Sequence, residues 1–169
     1  MESTGNRGEK LFNKKEKAAE LFRDAHQAQL KGDLSNATRL YQESIHTHPT
    51  AEAYTFLGWT YSFLHRYEDA IEECKHAIAL DPDFGNPYND IGSYLMKLGK
   101  IEEAIPWLQQ ATVAKRYETR HFPHMNLGRL YLAKGDQLQA IREFGKAVEI
   151  EPRYLPARFA FAALSSQLN

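Results

Sequence analysis

One pattern constrains this chain more than any other: a set of small and apolar residues that returns at nearly constant spacing. Leu57-Gly58, Ile91-Gly92 and Leu127-Gly128 recur, each glycine followed three residues on by Tyr61, Leu95 or Tyr131. Ala70-Ile71, Ala104-Ile105 and Ala140-Ile141 recur as well, and so do Ala77, Ala111 and Ala147. Pro82 and Pro152 close two of the units. The clearest unit is Ala51–Phe84, which reads as two amphipathic helices joined by a short turn. A period of roughly 34 residues means that each unit buries its apolar face only by stacking on its neighbours. The pattern therefore predicts an all-α solenoid of four antiparallel helix pairs.

Along the chain the units fall at about 18–50, 51–84, 85–120 and 121–154, within one domain over 13–169. Residues 1–12 are expected to be a disordered tail, since Met1–Gly8 is polar and lacks periodicity. Asn13 with Glu16 has the spacing of an N-cap and its N3 carboxylate. Lys31-Gly32-Asp33 ends the first helix, and Asp33 is placed to cap the second. The second unit has His65 where the first has Gly32, so a left-handed turn is expected there without glycine. Asn86 is a candidate N-cap before Pro87, and Asp136 with Gln139 repeats the capping spacing. Pro106 falls about one turn into its helix, where it removes a hydrogen bond and is expected to kink it. The third unit lacks a closing proline and Tyr117–Arg120 carries two extra residues, so this join should be the least regular. Leu155–Leu168 reads as one further helix capping the stack.

Composition narrows the function. With 21 Lys plus Arg against 22 Asp plus Glu, the formal net charge is -1. No global field favours nucleic acid or an anionic membrane, and neither is expected as a partner. The single cysteine, Cys74, excludes an internal disulfide, and no apolar run reaches membrane-spanning length. The expectation is a cytoplasmic protein.

The repeated residues resemble the tetratricopeptide repeat. Unit two carries Leu57, Gly58, Tyr61, Tyr67, Ala70, Ala77 and Pro82; unit four carries Leu127, Gly128, Tyr131, Gly135, Ala140, Phe144, Ala147 and Pro152. Unit three keeps Ile91, Gly92, Gly99, Ala104 and Ala111, while unit one keeps Gly32, Ala37, Tyr41 and Pro49, with Ala25 in place of glycine. The resemblance implies a right-handed superhelix whose first helices line a concave groove. In that family the groove holds an extended peptide or an amphipathic helix of a partner protein. Carried onto this sequence, the groove residues are Phe22, His26 and Gln29; then Glu52, Thr55, Trp59 and Phe63; then Asn86, Asn89, Ser93 and Lys97; then Phe122, Met125, Arg129 and Leu132. The carboxylate clamp of chaperone-tail binders is not reproduced. Phe22 stands at its first lysine position and His26 at its first asparagine position, leaving Asn89 and Arg129 as fragments. The implied function is a non-enzymatic scaffold, with self-association through the apolar last helix as the alternative. Homo-oligomerisation stays open on that alternative.

Other constellations carry less. Trp59 points away from its own helix pair, either as an anchor in the groove or as packing against the neighbouring first helix. His121 and His124 can share a helix face but lack a third ligand at the right spacing, so no metal or other cofactor is expected. Cys74 reads as a small core residue. Lys115, Arg116, Arg120 and Arg129 suggest an acidic-peptide or phosphate contact, but cations also favour helix ends in water, and that reading is preferred. No phosphate loop or nucleophile motif is present.

Overall fold

Each repeat contains two helices, and the computed structural model joins them through tight left-handed turns. It describes residues 4–166, with only the backbone given for 4–7 and 9. Among these residues there are nine helices and no strand. The packing separates into two compact units, with the boundary in the chain between Asp81 and Pro82.

The first unit holds α1 (Thr4–Leu30), α2 (Leu34–Thr47), α3 (Ala51–Phe63) and α4 (Tyr67–Leu80). α1 packs on α2 and α3 on α4. The second holds α5 (Asn86–Lys97), α6 (Ile101–Val113), α7 (His121–Ala133), α8 (Gln137–Ile150) and α9 (Leu155–Ser165). Here α5 pairs with α6 and α7 with α8, and α9 covers α8. The all-α class of helix pairs is therefore the observed one.

The small residues sit where helices come closest. A Cβ added at Gly92 would lie 2.5 Å from Leu108, and one at Gly58 would lie 2.9 Å from the Ala70 carbonyl oxygen. At Gly128 the same atom would enter the Phe144 ring. Ala37, Ala70, Ala104 and Ala140 are all fully buried. Larger side chains at such contacts overpack them.

The turns follow one rule with one exception. Gly32, Gly99 and Gly135 adopt φ of 80°, 73° and 78°, and His65 adopts 58°. Asp33 and Asp136 cap α2 and α8, accepting from the backbone N–H of Asn36 and Gln139. Thr50 does the same for α3 through Ala53 N–H.

Two local expectations are corrected. The first helix starts at Thr4, so Asn13 lies inside it and the stretch from Thr4 to Phe12 is helical; residues 1–3 of the expected tail lie outside the described residues. Lysine, glutamate and leucine between Lys10 and Lys17 are good helix formers, and nothing there breaks the helix short of Gly8. Asn86 is the first helical residue of α5, and Gly85 takes the cap position. There a Cβ would collide with the Tyr117 side chain, so the close approach selects glycine. α6 continues through Pro106, which sits on its exposed face. The carbonyl that loses its partner belongs to Glu102, also exposed, where water can satisfy it.

The join after α6 is irregular yet pinned. Phe84 and Arg116 form an isolated parallel bridge. Gly85 N–H donates to the Arg116 carbonyl at 3.0 Å, and Arg116 N–H donates to that of Asp83 at 2.9 Å. Tyr117 is buried beside Ala111 and Ala114. The two extra residues thus form a short strap across the entry to α5.

Candidate functional site

The exposed faces of the first helices differ sharply between the units. In the first unit they form a row of rings. Phe56 on α3 packs edge-on against Phe22 and His26 of α1, at centroid distances of 5.2 and 5.3 Å. Phe22 also meets Tyr41 at 5.5 Å. Trp59 leans on Phe56 at 5.6 Å and stacks on Phe63 at 5.8 Å. The inner rings are half-buried, whereas Trp59 is 45% and Phe63 53% exposed. Spacing of four residues sets Trp59 and Phe63 on one helical face, so the row ends in two open rings. At its other end Phe22 borders a small cleft of about 210 Å³ with Ala18, Ala19, Lys15, His48, Thr50 and Glu52.

In the second unit the corresponding face is made of amides. Asn126 on α7 donates from Nδ2 to Asn89 Oδ1 at 3.0 Å and to Ser93 Oγ at 3.1 Å, both on α5. Arg129 donates to Asn126 Oδ1 at 3.4 Å. Asn86 and Arg129 are exposed, and Asn89, Ser93 and Asn126 half-buried. Next to Asn89, burial pushes the Asp90 carboxyl up to about 7, against a hydrogen bond with Asn89 that lowers it. This half-buried group therefore titrates near neutral pH.

Several expected site residues lie elsewhere. Thr55 is buried and its hydroxyl donates to the Ala51 carbonyl at 2.7 Å. Met125 is buried among Ala140, Phe144, Ala147, Ala157 and Leu164. Gln29 is buried and accepts from the Tyr41 hydroxyl at 2.8 Å. All three side chains are turned into the packing of the helices. Phe122 is exposed but packs edge-on against Tyr154, 5.6 Å away, as well as beside His121. Sequence reasoning missed Phe56 and Asn126, the two residues that organise the faces. Both stand two positions before a repeat glycine, Gly58 or Gly128, a shared register that was readable.

The histidine and basic clusters dissolve into structural roles. His124 Nδ1 lies 2.6 Å from Glu143 Oε2, and Lys146 Nζ lies 2.8 Å from Glu143 Oε1. Burial raises the Glu143 pKa, but the hydrogen bonds from His124 and Lys146 outweigh it and leave the group below its usual value. His121 is buried between Phe122 and Tyr154, and that burial lowers its pKa. Among the described residues no three His, Cys, Asp or Glu side chains gather as a metal site. Lys115 pairs with Asp83, Arg116 lies over the Phe84 ring, and Arg120 donates to the carbonyls of Thr112 and Ala114 at the end of α6. No described helix is long and apolar enough to cross a membrane.

Tandem helix pairs with small residues at their contacts and variable faces on their first helices define a repeat scaffold for protein interaction. The tetratricopeptide repeat family matches residues 51–84, 86–115 and 124–154. This chain belongs to that family. It is 30% identical over 132 residues to human Protein O-mannosyl-transferase TMTC2, which covers 76% of this chain but only 13% of that protein. The chain thus spans a small part of the curated relative's length. Among solved structures, Pseudomonas aeruginosa pilF superposes with a TM-score of 0.84 at 21% identity, covering 92% of this chain and 70% of that one. MamA superposes at 0.72 with 26% identity, covering 85% and 83%.

Proposed function

We propose that this chain is a non-enzymatic adaptor that binds a segment of a partner protein on the faces of its first helices. The observation that carries this reading is the open aromatic row of the first unit, ending in Trp59 and Phe63. Tryptophan is among the residues enriched at binding hot spots, and two stacked rings offer a stiff apolar anchor at low entropic cost. The amide face of the second unit offers a second candidate surface by itself. Arg129 keeps guanidinium N–H groups to spare, and the side-chain oxygens of Asn89 and Asn126 each keep an acceptor site, groups suited to a peptide backbone. The ligand this chemistry favours is a short segment, extended or helical, with one or two apolar side chains.

The test is selection of peptide ligands on the full chain from a random library, followed by titration of the best ligand. Trp59→Ala is expected to weaken binding by about 2 kcal/mol or more. Circular dichroism checks that the variant keeps its helices. Full affinity in a folded Trp59→Ala variant overturns the aromatic face as the site.

A further inference from the structure

The aromatic row runs lengthwise along the crevice between α1 and α3. Ala18 and Ala19 share its cleft with Thr50 and Glu52, and further on Phe22 and His26 meet Phe56. Residue numbers therefore rise in the same direction on both helices, which lie side by side. The row follows α3 from Glu52 at the cleft to Trp59 and Phe63 at the open end. Glu52 and Trp59 stand two helical turns apart, about 10 Å at 1.5 Å per residue. The crevice thus holds two apolar stations. One is the cleft of about 210 Å³ beside Phe22, and the other is the exposed Trp59–Phe63 stack.

Between the stations there is little for a peptide backbone to bond. The side chains of the row offer two hydrogen-bonding groups, the His26 ring and the Trp59 indole N–H. The backbone groups of α1 and α3 alongside are taken up within their own helices. An extended segment draws its affinity largely from main-chain hydrogen bonds, and this surface returns few of them. A helix bonds its own backbone and presents only side chains. Its residues at i and i+7 lie on one face, also about 10 Å apart. The rings already pack against one another, so a helix docks without having to order them.

We propose that the ligand of the aromatic row is one amphipathic helix of a partner protein, laid along the α1–α3 crevice. An apolar side chain at position i enters the cleft, and another at i+7 covers Trp59 and Phe63. This inference rests on the adaptor reading above and adds the ligand's conformation and the spacing of its anchors.

The test takes the peptides selected on the full chain from the random library and keeps those that Trp59→Ala weakens. These are expected to carry large apolar residues at i and i+7. Circular dichroism of the complex should show more helix than the sum of its free components. Proline at i+5 of the best ligand lies on the outer face, so it spares both anchors and breaks the helix. It should raise the dissociation constant about 30-fold or more. Ala19→Leu fills the cleft from an exposed position and should weaken the same ligand about tenfold, with the chain's own helicity unchanged. Ligands that depend on Trp59 yet accept the proline without loss, or whose apolar residues alternate with period two, overturn the helix in favour of an extended segment. Undiminished binding to a folded Ala19→Leu variant overturns the cleft as an anchor. If no selected ligand depends on Trp59, the aromatic row fails as the site, and this inference falls with it.

Discussion

The pairs α3–α4 and α7–α8 repeat the same plan with different contents. Gly58 and Gly128, Tyr61 and Tyr131, Ala70 and Ala140, Ala77 and Ala147 all stand at equivalent places. At those places the residue type is held. Elsewhere the chemistry changes: Phe56 becomes Asn126, Trp59 becomes Arg129, Cys74 becomes Phe144 and His65 becomes Gly135. The held positions are those where two helices touch. The changed ones either face outward or fill space left by a neighbour. One architecture therefore supports an aromatic face in one unit and an amide face in the other.

The largest expected difference lies in the core. Phe144 fills the space above Gly128 and is almost fully buried, whereas Cys74 does the same for Gly58 with a single sulfur. Phe144→Ala should cost about 3–5 kcal/mol, because the cavity is large and its backbone walls cannot collapse. Cys74→Ala should cost about 1 kcal/mol, in proportion to the smaller group removed. Urea unfolding at neutral pH measures both. Equal costs would mean that the two pairs are packed alike despite their sequences.

That contrast also explains what the sequence made legible. Helix pairs, turn positions and the family follow from small residues, because a close helix contact admits few alternatives. Gly92 against Leu108 leaves no room for another choice. The faces were harder to read. The repeat register leaves position 125 open, yet Met125 packs among residues of α8 and α9. Position 126 points instead at α5, where Asn89 and Ser93 await it. A helical face of about 100° per residue separates these neighbours, so a shift of one position exchanges ligand contact for core. The start of α1 was misplaced for a different reason. The polar helix formers between Glu9 and Lys17 show no apolar period, so the helical stretch there leaves no pattern to read.

A second difference concerns charge. Glu73 and Glu143 occupy equivalent places, and their pKa values move in opposite directions. Burial raises Glu73, helped by Asp69 and Glu72 and opposed by His76. At Glu143, burial is overcome by His124 and Lys146, and the value falls. The lowered Glu143 stabilises the fold above its unfolded pKa of about 4.3, and that contribution fades as pH falls through the folded value. Raised Glu73 behaves oppositely: its contribution is full below the unfolded pKa and is lost as pH rises through the folded one. Glu143→Gln should therefore cost about 1–3 kcal/mol at neutral pH and little in acid. Glu73→Gln should leave neutral stability unchanged or slightly higher. Thermal melts of both variants from pH 3 to about 8 distinguish them, spanning the ordinary carboxylate range. A parallel response of the two variants would remove the assigned role of His124 and Lys146.

The smallest effect sits in the turns. Gly135 and His65 both hold a left-handed backbone, at φ of 78° and 58°. For glycine this conformation carries no Cβ clash, whereas for other residues it costs roughly 1–2 kcal/mol. His65 recovers part of that cost locally: its Nδ1 lies 3.1 Å from the Tyr67 hydroxyl, with the two rings edge to face. The bond is exposed, so water competes for it and its net worth is well below about 1 kcal/mol. His65→Gly should accordingly stabilise the chain by about 0.5–1 kcal/mol, allowing for glycine's extra freedom when unfolded. Tyr67→Phe isolates the recovered part, since it removes the hydroxyl while the backbone stays as it is. If His65→Gly destabilises while Tyr67→Phe does not, the imidazole contributes through some contact other than Tyr67. If both destabilise, the His65–Tyr67 pair is what holds the α3–α4 turn closed.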